Sequence, residues 1–536
     1  MQTDDRYWTT EPSLTRSTFK RGLPVNFRNS LILLFVATLA TVGCEKKCKK
    51  GQDVACWTQA LGDKARVTKA VSELKAINDK SAAPALLETF KTSSDNPKVR
   101  EKIAEMFKKW KYDKAVKALI EGLDFTVGPN KDGKKAKATN RANQKIASAL
   151  GAIGDKQAIT PLIRLMKVTK NLYVKRAAIR SLGQLKAKEA VDPLLEILND
   201  VDVHKTIRAN AVFALGEIGD PKVVPNLVKA LYQEKAFFFA HANLALVKIG
   251  EPAVDLLIQT MNGKNKEVNR ILEGNVEVLK GALEANAAQV LGDIGSEKAV
   301  EPLSAMVEKI SKWDSDNKLI VMTRLISALG DIGYKGAVKS IVKYLDTKFW
   351  DVATVVCNSL IFIGDRSVVP ELFKYASEGD RHPRVRVPMI EAIGNLGTDK
   401  DIEQLKALKE KFKDRTLTPI IEKSIKRLEA YASCKQNADC WIGKLKDKDP
   451  AVREKAAYEL GQIGDPKAID ALISVVGDQN ELVRWGVIFA FSRLNSKKPI
   501  AAIEQLVEKT EKGNPRFKVV NNKYTRLVAR LKRTGK

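Results

Sequence analysis

The sequence predicts an all-α fold in which about thirteen helical hairpins stack into a right-handed solenoid. The phrase Leu460-Gly-Gln-Ile-Gly-Asp-Pro466 recurs along the chain, and its thirteen exact or looser copies lie 31 to 44 residues apart. Apolar residues on both sides of each copy recur at helical spacing, and no signal for strands accompanies them. A repeat of this length predicts a stacked array, so we expect the 536 residues to form one elongated body.

The residues around one copy predict the two helices of a hairpin. An apolar stripe from Val452 to Ile463 has a period of 3.6 residues, and a second stripe from Ile469 to Val476 repeats it. Between the stripes, Gly464 suits the left-handed position after a helix, Asp465 suits a helix cap, and Pro466 suits a first turn. Each unit is therefore two antiparallel helices, called here the first and the second helix.

The repeated turns, a proline in the first helix and a basic residue seven positions before the anchor residue of each copy resemble the HEAT family. The similarity is greatest to the HEAT-like repeats of phycobilisome lyases and covers about residues 54–533. It implies a superhelix whose second helices line the concave face. The basic residues are Arg100, Lys175, Arg208, Arg386, Arg453 and Arg484. They form either a binding ladder or ion pairs with nearby acids such as Asp202, Asp447 and Asp478.

Residues 1–43 are interpreted as a lipoprotein signal peptide. Leu31–Val42 is a run of twelve uncharged residues, which is shorter than the roughly 20 residues that a membrane span needs but suits a signal peptide. The end of this run, Thr41 to Cys44, resembles a lipobox, which implies lipidation of Cys44 and a tether over residues 44–53. The expected location is a membrane of the bacterial cell envelope, facing the periplasm or the outer surface. An ordinary secretory signal and an uncleaved anchor are the alternatives.

The six cysteines support export. Two similar elements are Cys48-Cys56-Trp57 and Cys434-Cys440-Trp441. We expect each to form a local disulfide, since disulfides are typical of proteins outside the cytosol. The three histidines are far apart in the sequence, so we predict no metal site. Cys357 lies on a helical stripe and is expected to be buried.

Three spacings between repeats are longer than the others. Their extra residues are Phe125 to Asn140, Asn262 to Lys280 and Ser311 to Lys318. All three fall between the first and the second helix of a unit, so we expect them to project from one edge of the solenoid. The first is predicted to be a flexible basic loop that contains Lys134, Lys135 and Lys137. Such long connections are either functional or disordered.

Aromatic residues near the starts of second helices are candidates for contacts with a partner, because aromatic residues beside arginine are common hot spots. The candidates are Phe237, Phe238, His241, Phe349, Trp350, Arg484 and Trp485. For Phe237 and Phe238, the alternative is that both belong to the core.

The last 28 residues are strongly basic, with ten basic residues and one acidic residue between positions 509 and 536. We expect a capping helix over about residues 520–533, whose apolar face covers the last repeat. Its basic residues Arg526, Arg530 and Arg533 are candidates for binding. They are either solvated or in contact with anionic lipid or lipopolysaccharide, where each cation contributes about 1 kcal/mol.

These features favour a monomeric, membrane-anchored scaffold that binds another protein of the cell envelope through its concave face and edge loops. The net charge of +28 raises an alternative, namely binding of nucleic acid or of anionic envelope polymers and lipids. Nucleic acid is disfavoured because export would separate the protein from DNA. A lyase-like enzyme is also disfavoured, because the sequence has no Ser/His/Asp set, phosphate loop or metal-ligand cluster. No cofactor or catalytic residue is predicted.

Overall fold

The computed structural model describes residues 48–126, 133–233, 237–273, 281–378, 380–511 and 518–536. Two units are distinguished, Met1–Cys48 and Lys49–Lys536, and the fold below is that of the second unit. The described residues form 29 α-helices and no strand, which confirms the all-α solenoid prediction. The predicted signal peptide and Cys44 lie outside the described residues. Among the helices that are described, none is both long enough and apolar enough to cross a bilayer.

The helices of the described residues pair into fourteen hairpins. Hairpin 1 consists of α1 (Val54–Gln59) and α2 (Val67–Ile77); hairpin 2 of α3 (Ala83–Thr92) and α4 (Pro97–Trp110); hairpin 3 of α5 (Val116–Glu121) and α6 (Gly133–Ile153); and hairpin 4 of α7 (Ile159–Val168) and α8 (Leu172–Gln184). Hairpin 5 consists of α9 (Val191–Asn199) and α10 (Lys205–Ile218); hairpin 6 of α11 (Val224–Ala230) and α12 (Phe239–Ile249); and hairpin 7 of α13 (Val254–Met261) and α15 (Ala282–Ile294). Helix α14 (Lys266–Glu273) is inserted between α13 and α15.

The remaining seven hairpins continue in the same order. Hairpin 8 consists of α16 (Val300–Ser311) and α17 (Lys318–Ile332); hairpin 9 of α18 (Val338–Ile341) and α19 (Trp350–Ile363); hairpin 10 of α20 (Val369–Ser377) and α21 (Pro383–Leu396); and hairpin 11 of α22 (Ile402–Phe412) and α23 (Leu417–Cys434). Hairpin 12 consists of α24 (Ala438–Lys444) and α25 (Pro450–Ile463); hairpin 13 of α26 (Ile469–Ser474) and α27 (Glu481–Leu494); and hairpin 14 of α28 (Ile500–Glu511) and α29 (Lys518–Thr534).

The two glycines of the repeated phrase have different structural roles. The second one ends the second helix, as at Gly464, which has φ +74° and is followed by Asp465 accepting a bond from the Lys467 amide. The first one permits close packing of second helices. A Cβ atom on Gly216 would lie 2.6 Å from the Cα of Ala245 in the next hairpin. The phrase therefore encodes both the turn and the stacking distance.

Successive second helices pack closely against one another, whereas successive first helices have few contacts. Serine side chains add hydrogen bonds within this layer. The Ser181 hydroxyl donates to the Ala147 carbonyl over 2.8 Å, and the Ser359 hydroxyl donates to the Ile326 carbonyl over 3.0 Å. The denser layer of a curved stack is its inner one, so the second helices form the inner layer of these hairpins.

The predicted insertions do fall between first and second helices, but two of them are partly helical. The first is not a basic loop over its whole length, because α6 begins at Gly133 and Lys134, Lys135 and Lys137 lie in its first turns. Lysine and alanine, which make up most of this stretch, are strong helix formers. Residues 127–132 lie outside the described part of the chain. The second insertion contains α14.

Both predicted cysteine elements are present as disulfides. Cys434 is bonded to Cys440, and Cys48 and Cys56 are also disulfide-bonded. In each element the tryptophan is buried and its indole N–H donates to a backbone carbonyl, from Trp57 to Lys49 over 3.0 Å and from Trp441 to Lys435 over 2.8 Å. Cys357 is a free, buried thiol whose pKa is raised by burial, as its position on the stripe predicts.

The last three hairpins fold back onto earlier ones, which the sequence did not predict. Helix α29 contacts α12 and α15, more than 200 residues before it in the chain. Side chains of α25 and α27 bond to the ends of α19 and α21. We call the contact of α25, α27 and α29 with α12, α15, α17, α19 and α21 the fold-back interface. The expectation of one extended stack is therefore wrong for hairpins 6 to 14.

The fold-back interface joins long polar side chains to the carboxyl ends of second helices. In every case the acceptor is a backbone carbonyl. From α29, Arg533 donates to Ile294 over 2.7 Å and Arg530 donates to Asp331 over 3.4 Å. From α27 and α25, Arg493 donates to Phe362 over 3.4 Å and to Ile363, Gln462 donates to Gly364 over 2.9 Å, and Lys455 donates to Asn395 over 2.6 Å. The terminal carbonyls of a helix lack partners within it and carry partial negative charge, so cationic donors stabilise them.

Buried carboxylates complete the interface. Glu459 is fully buried and accepts bonds from Arg366 over 2.6 and 2.8 Å and forms an ion pair with Lys455 at 2.9 Å. Burial lowers the pKa of Lys455 to about 8, although the Glu459 charge opposes this shift. Asp293 pairs with Arg526 at 2.9 Å. The Arg366–Glu459 and Asp293–Arg526 pairs join residues far apart in sequence, whereas Lys455 and Glu459 lie one turn apart on α25.

Replacing Glu459 with Gln is expected to lower the free energy of unfolding by about 3–5 kcal/mol, because it leaves the buried cation Lys455 and the partly buried cation Arg366 without a charged partner. Urea unfolding followed by circular dichroism measures this change.

The matched control is Asp470→Asn, which removes the acid of an exposed ion pair with Lys498 in the same part of the chain. Its expected cost is about 0–1 kcal/mol. Equal costs for the two variants would contradict a stabilising role for the buried network.

Candidate protein-binding surface

Exposed apolar side chains are concentrated along one edge of the hairpins. We define the loop edge as the last turn of each first helix, the described connections from first to second helices and the first turn of each second helix. Among the described residues, nine of the ten exposed large apolar side chains lie there. They are Val168, Leu172, Tyr173, Val201, Phe237, Ile320, Phe349, Trp350 and Leu482. The tenth, Tyr334, lies at the opposite edge. Large exposed apolar patches are typical of interaction sites.

The main group on the loop edge spans hairpins 4, 5 and 6 and is called here patch 1: Val168, Leu172, Tyr173, Val201 and Phe237. Val201 is 77% exposed and Tyr173 is 59% exposed. Because the second helices of these hairpins pack directly against one another, the side chains follow each other at the spacing of adjacent helices, about 8–10 Å. Patch 1 therefore offers a row of apolar contacts along three hairpins.

Patch 1 also contains a cation beside an aromatic ring. The Lys205 ammonium lies 5.1 Å from the centre of the Phe237 ring, which joins hairpins 5 and 6. The two adjacent phenylalanines differ in their exposure to solvent. Phe237 is 44% exposed, whereas Phe238 is fully buried and packs edge-on against it with ring centres 5.4 Å apart. Phe238 is thus a core residue that supports the exposed ring.

A second group lies on hairpins 8 and 9. Phe349 and Trp350 are 56% and 51% exposed at the start of α19, and Ile320 is exposed in the first turn of α17. The predicted candidates Phe349 and Trp350 therefore lie on the same edge as Phe237.

The inner layer of hairpins 4 to 6 carries cations around an aromatic ring. Phe213 of α10 lies between Arg180 of α8 and Lys248 of α12, whose charged groups are 4.8 and 5.1 Å from the ring centre. His241 is near Arg180; partial burial, together with that positive charge, lowers the pKa of His241. Helices α8 and α10 are not part of the fold-back interface, whereas α12 contacts α29. The part of this inner surface that α8 and α10 form is therefore available for binding.

The basic candidates of the closing helix are in a different place from the one expected. The apolar face of α29 is buried, as predicted. Its basic face does not lie on an open surface, because Arg526, Arg530 and Arg533 contact the ends of earlier second helices. These three cations are therefore bonded within the protein and only partly exposed. The physical reason is that Asp293 and the helix carbonyls provide them with acceptors inside the molecule.

The basic ladder has a role that neither sequence interpretation stated. Arg208 donates to the Leu198 carbonyl over 2.9 Å, at the end of the first helix of its hairpin. Arg484 donates to the Asp478 carbonyl over 2.6 Å, in the connection that precedes its own helix. Arg453 makes the expected ion pair with Asp478, at 2.8 Å. Arg208 and Arg484 thus tie the start of the second helix to the preceding segment of the same hairpin. Trp485, next to Arg484, is half-buried against the Phe362 ring at 6.0 Å.

Four exposed residues of patch 1 were not predicted from the sequence: Val168, Leu172, Tyr173 and Val201. A signal was present for two of them. The buried stripe of α8 begins at Val174, so Leu172 and Tyr173 are apolar residues in the first turn that do not belong to the stripe. The described residues contain no group of three or more His, Cys, Asp or Glu side chains suited to a metal ion. The chemistry that these surfaces offer is apolar and cation–π contact.

Comparison with known proteins agrees with the repeat architecture. A family model described as HEAT repeats matches residues 136–206, 191–273 and 440–520. The chain is 24% identical over 263 residues to deoxyhypusine hydroxylase of Schizosaccharomyces pombe, covering 48% of this chain and 76% of the relative. It is 23% identical over 197 residues to phycocyanobilin lyase subunit alpha of Picosynechococcus, covering 35% and 72%. These segments of the chain therefore match HEAT repeats.

Solved structures show low similarity. The complex of CpcE and CpcF of phycocyanin lyase from Nostoc is 21% identical with a TM-score of 0.28, covering 48% of this chain and 92% of that chain. Importin beta is 12% identical with a TM-score of 0.39, covering 89% and 68%. Similarity at this level assigns no activity or partner to the chain.

Replacing Arg484 with Met is expected to lower the free energy of unfolding by about 1–3 kcal/mol, because two carbonyls in a partly buried connection lose a charged donor. Urea unfolding measures this change in the free energy of unfolding. Arg176→Met, at an exposed position of α8, is the control and should change stability by less than about 0.5 kcal/mol. If Arg484→Met leaves stability unchanged and weakens partner binding, Arg484 is a binding residue and the structural role is wrong.

Proposed function

We propose that the protein is a scaffold, anchored in a bacterial envelope membrane by lipid on Cys44, that binds another envelope protein along its loop edge. The observation that carries this proposal is the concentration of exposed apolar side chains on that edge. A soluble surface rarely maintains such a row unless a partner covers it. HEAT solenoids are suited to binding proteins, which supports the same conclusion.

The binding site comprises patch 1 and the adjoining inner surface around Phe213. Tyrosine and phenylalanine in patch 1 provide large rigid contacts, and Lys205 and Arg180 provide charge beside aromatic rings. A partner with an apolar segment flanked by acidic residues fits this combination. The excess of basic residues in the chain, with a net charge of +28, increases its rate of encounter with an acidic partner.

The alternative function, binding of nucleic acid or of anionic lipids and polymers, has less support. Its strongest basis in the sequence is the basic closing helix, and Arg526, Arg530 and Arg533 of that helix bond within the protein. An enzymatic function is not part of the proposal, since neither the loop edge nor the inner surface joins a nucleophile to a general base.

The double substitution Leu172→Ser with Tyr173→Ser is expected to weaken partner binding at least tenfold, because it removes two central apolar contacts of patch 1. The measurement is crosslinking and pull-down from membranes, with quantification of the partner that the wild-type protein captures.

The matched control is Tyr334→Ser, which removes an aromatic side chain of 44% exposure at the opposite edge. Stability of both variants should stay within about 0.5 kcal/mol of the wild type, because the side chains are exposed. If both variants retain the partner equally well, the loop edge is not the binding surface.

Replacing Cys44 with Ala is expected to move the protein from the membrane fraction to the soluble fraction, since the acyl chains provide its membrane affinity. Fractionation of cells followed by immunoblotting measures the distribution. Cys357→Ala, which removes a buried thiol, is the control and should stay in the membrane fraction. Membrane retention of the Cys44→Ala protein would contradict lipid anchoring.

A further inference from the structure

Three arginines of the last two hairpins line one polar cavity within the fold-back interface. Arg493 lies in the last turn of α27, and Arg530 and Arg533 lie near the end of α29. The cavity has a volume of about 380 Å³. Its opposite wall is formed by the turns after α15 and α17, including Gly295 and Gly333.

None of these three arginines has a carboxylate within ion-pair distance in the described part of the chain. Their hydrogen bonds go to backbone carbonyls, from Arg533 to Ile294, from Arg530 to Asp331 and from Arg493 to Phe362 and Ile363. The Asp331 carboxylate, which lines the cavity, pairs with Lys523, and the buried Asp293 carboxylate pairs with Arg526. The lining charges that remain are three arginines against Glu251 and Glu297, so the cavity has an excess of one positive charge.

Donors also remain unused. The buried Nε and Nη1 atoms of Arg533 have no hydrogen-bond partner among the described residues. Burial lowers the pKa of Arg530, the charges of Arg533 and Arg493 lower it further, and the Asp331 charge opposes the shift. The pKa of arginine is nevertheless so high that the three groups stay charged. A buried donor without a partner costs free energy, so an acceptor that enters the cavity is favoured.

The acids at the border of the cavity do not supply that acceptor. Glu251 and Glu297 are exposed, and the Glu251 carboxylate accepts a bond from the Ser296 hydroxyl over 3.0 Å. The polar side chains of Ser492, Asn495 and Thr534 line the same cavity. A multivalent oxyanion would therefore meet guanidinium groups and neutral donors.

We propose that this cavity binds a small molecule that carries a phosphate or pyrophosphate group. The planar guanidinium fork matches phosphate oxygens in two-point hydrogen bonding, and three forks suit an anion with two or more charges. The volume lies within the range of small-molecule sites. This site is separate from the loop edge and does not depend on the scaffold function.

The experiment is isothermal titration calorimetry of the purified full-length protein with sodium pyrophosphate at constant ionic strength. The wild-type protein is expected to bind it saturably at one site. Arg493→Gln is expected to weaken the binding at least tenfold. Lys532→Gln is the matched control, because it removes one charge from an exposed position of α29 that pairs with Glu504 outside the cavity, and it should bind like the wild type.

A second variant covers the case in which Arg493→Gln disturbs folding. Arg530→Lys keeps the charge and loses the fork, so it should retain the helical circular dichroism spectrum and bind pyrophosphate more weakly than the wild type. Absence of saturable binding to the wild-type protein at millimolar pyrophosphate would overturn the proposal. Equal affinities of Arg493→Gln and Lys532→Gln would also overturn it.

Binding of the protein to lipid vesicles distinguishes two sources of the phosphate group, a lipid headgroup and a soluble compound. If vesicles of phosphatidic acid in phosphatidylcholine bind the protein, and Arg493→Gln removes that binding, the natural ligand is a lipid headgroup. If pyrophosphate binds and the vesicles show no dependence on Arg493, the ligand is a soluble phosphate compound. Both results support the phosphate site.

Discussion

The bond between a cationic side chain and the carboxyl end of a distant helix determines how the C-terminal half of the protein is arranged. An isolated helix leaves its last carbonyls unpaired and partly negative. In α15, α17, α19 and α21 these carbonyls receive donors from Arg533, Arg530, Arg493 and Lys455. Because the donors come from three successive second helices, the inner layer of hairpins 12 to 14 must lie over these ends.

The hairpins were predictable from the sequence because every interaction that defines them is short in range. The left-handed Gly464, the cap at Asp465 and the stripe from Val452 act within a few residues of one another. The fold-back was not predictable in the same way. Lys455 and Gly397 are 58 residues apart, Arg533 and Ile294 are 239 apart, and the acceptors are backbone carbonyls that any residue provides.

One signal for the fold-back was nevertheless present, at the variable position of the repeated phrase. In the C-terminal half this position is polar each time: Asp293, Asp331, Asn395 and Gln462. All four make contacts across the fold-back interface, with Arg526, Lys523, Glu454 and the Gly364 carbonyl. The corresponding residue is Ala152 in hairpin 3 but Glu217 in hairpin 5, which lies outside the fold-back interface. A polar residue at this position is therefore common to the covered hairpins but does not by itself distinguish them from the others.

The fold-back divides the possible binding functions between the two halves of the solenoid. Hairpins 4 and 5 keep an inner surface around Phe213 outside the fold-back interface, and hairpins 4 to 6 carry the exposed row of patch 1. The inner layer of hairpins 6 to 10 instead contacts the last three hairpins. The candidate residues of the loop edge were found in part, since Phe237, Phe349 and Trp350 interrupt the pattern visibly. Single apolar residues such as Val201 do not, because one exposed apolar residue is ordinary in a surface loop.

The same bonds explain why the fold-back interface retains charge for a ligand. A helix end carries about half a negative charge, so the three ends that Arg493, Arg530 and Arg533 contact offset roughly half of their total charge. A carboxylate partner would offset all of it, as Asp293 does for Arg526. Since the cavity is formed jointly by α27, α29 and the turns after α15 and α17, an anion that binds there also stabilises the folded-back arrangement by mass action.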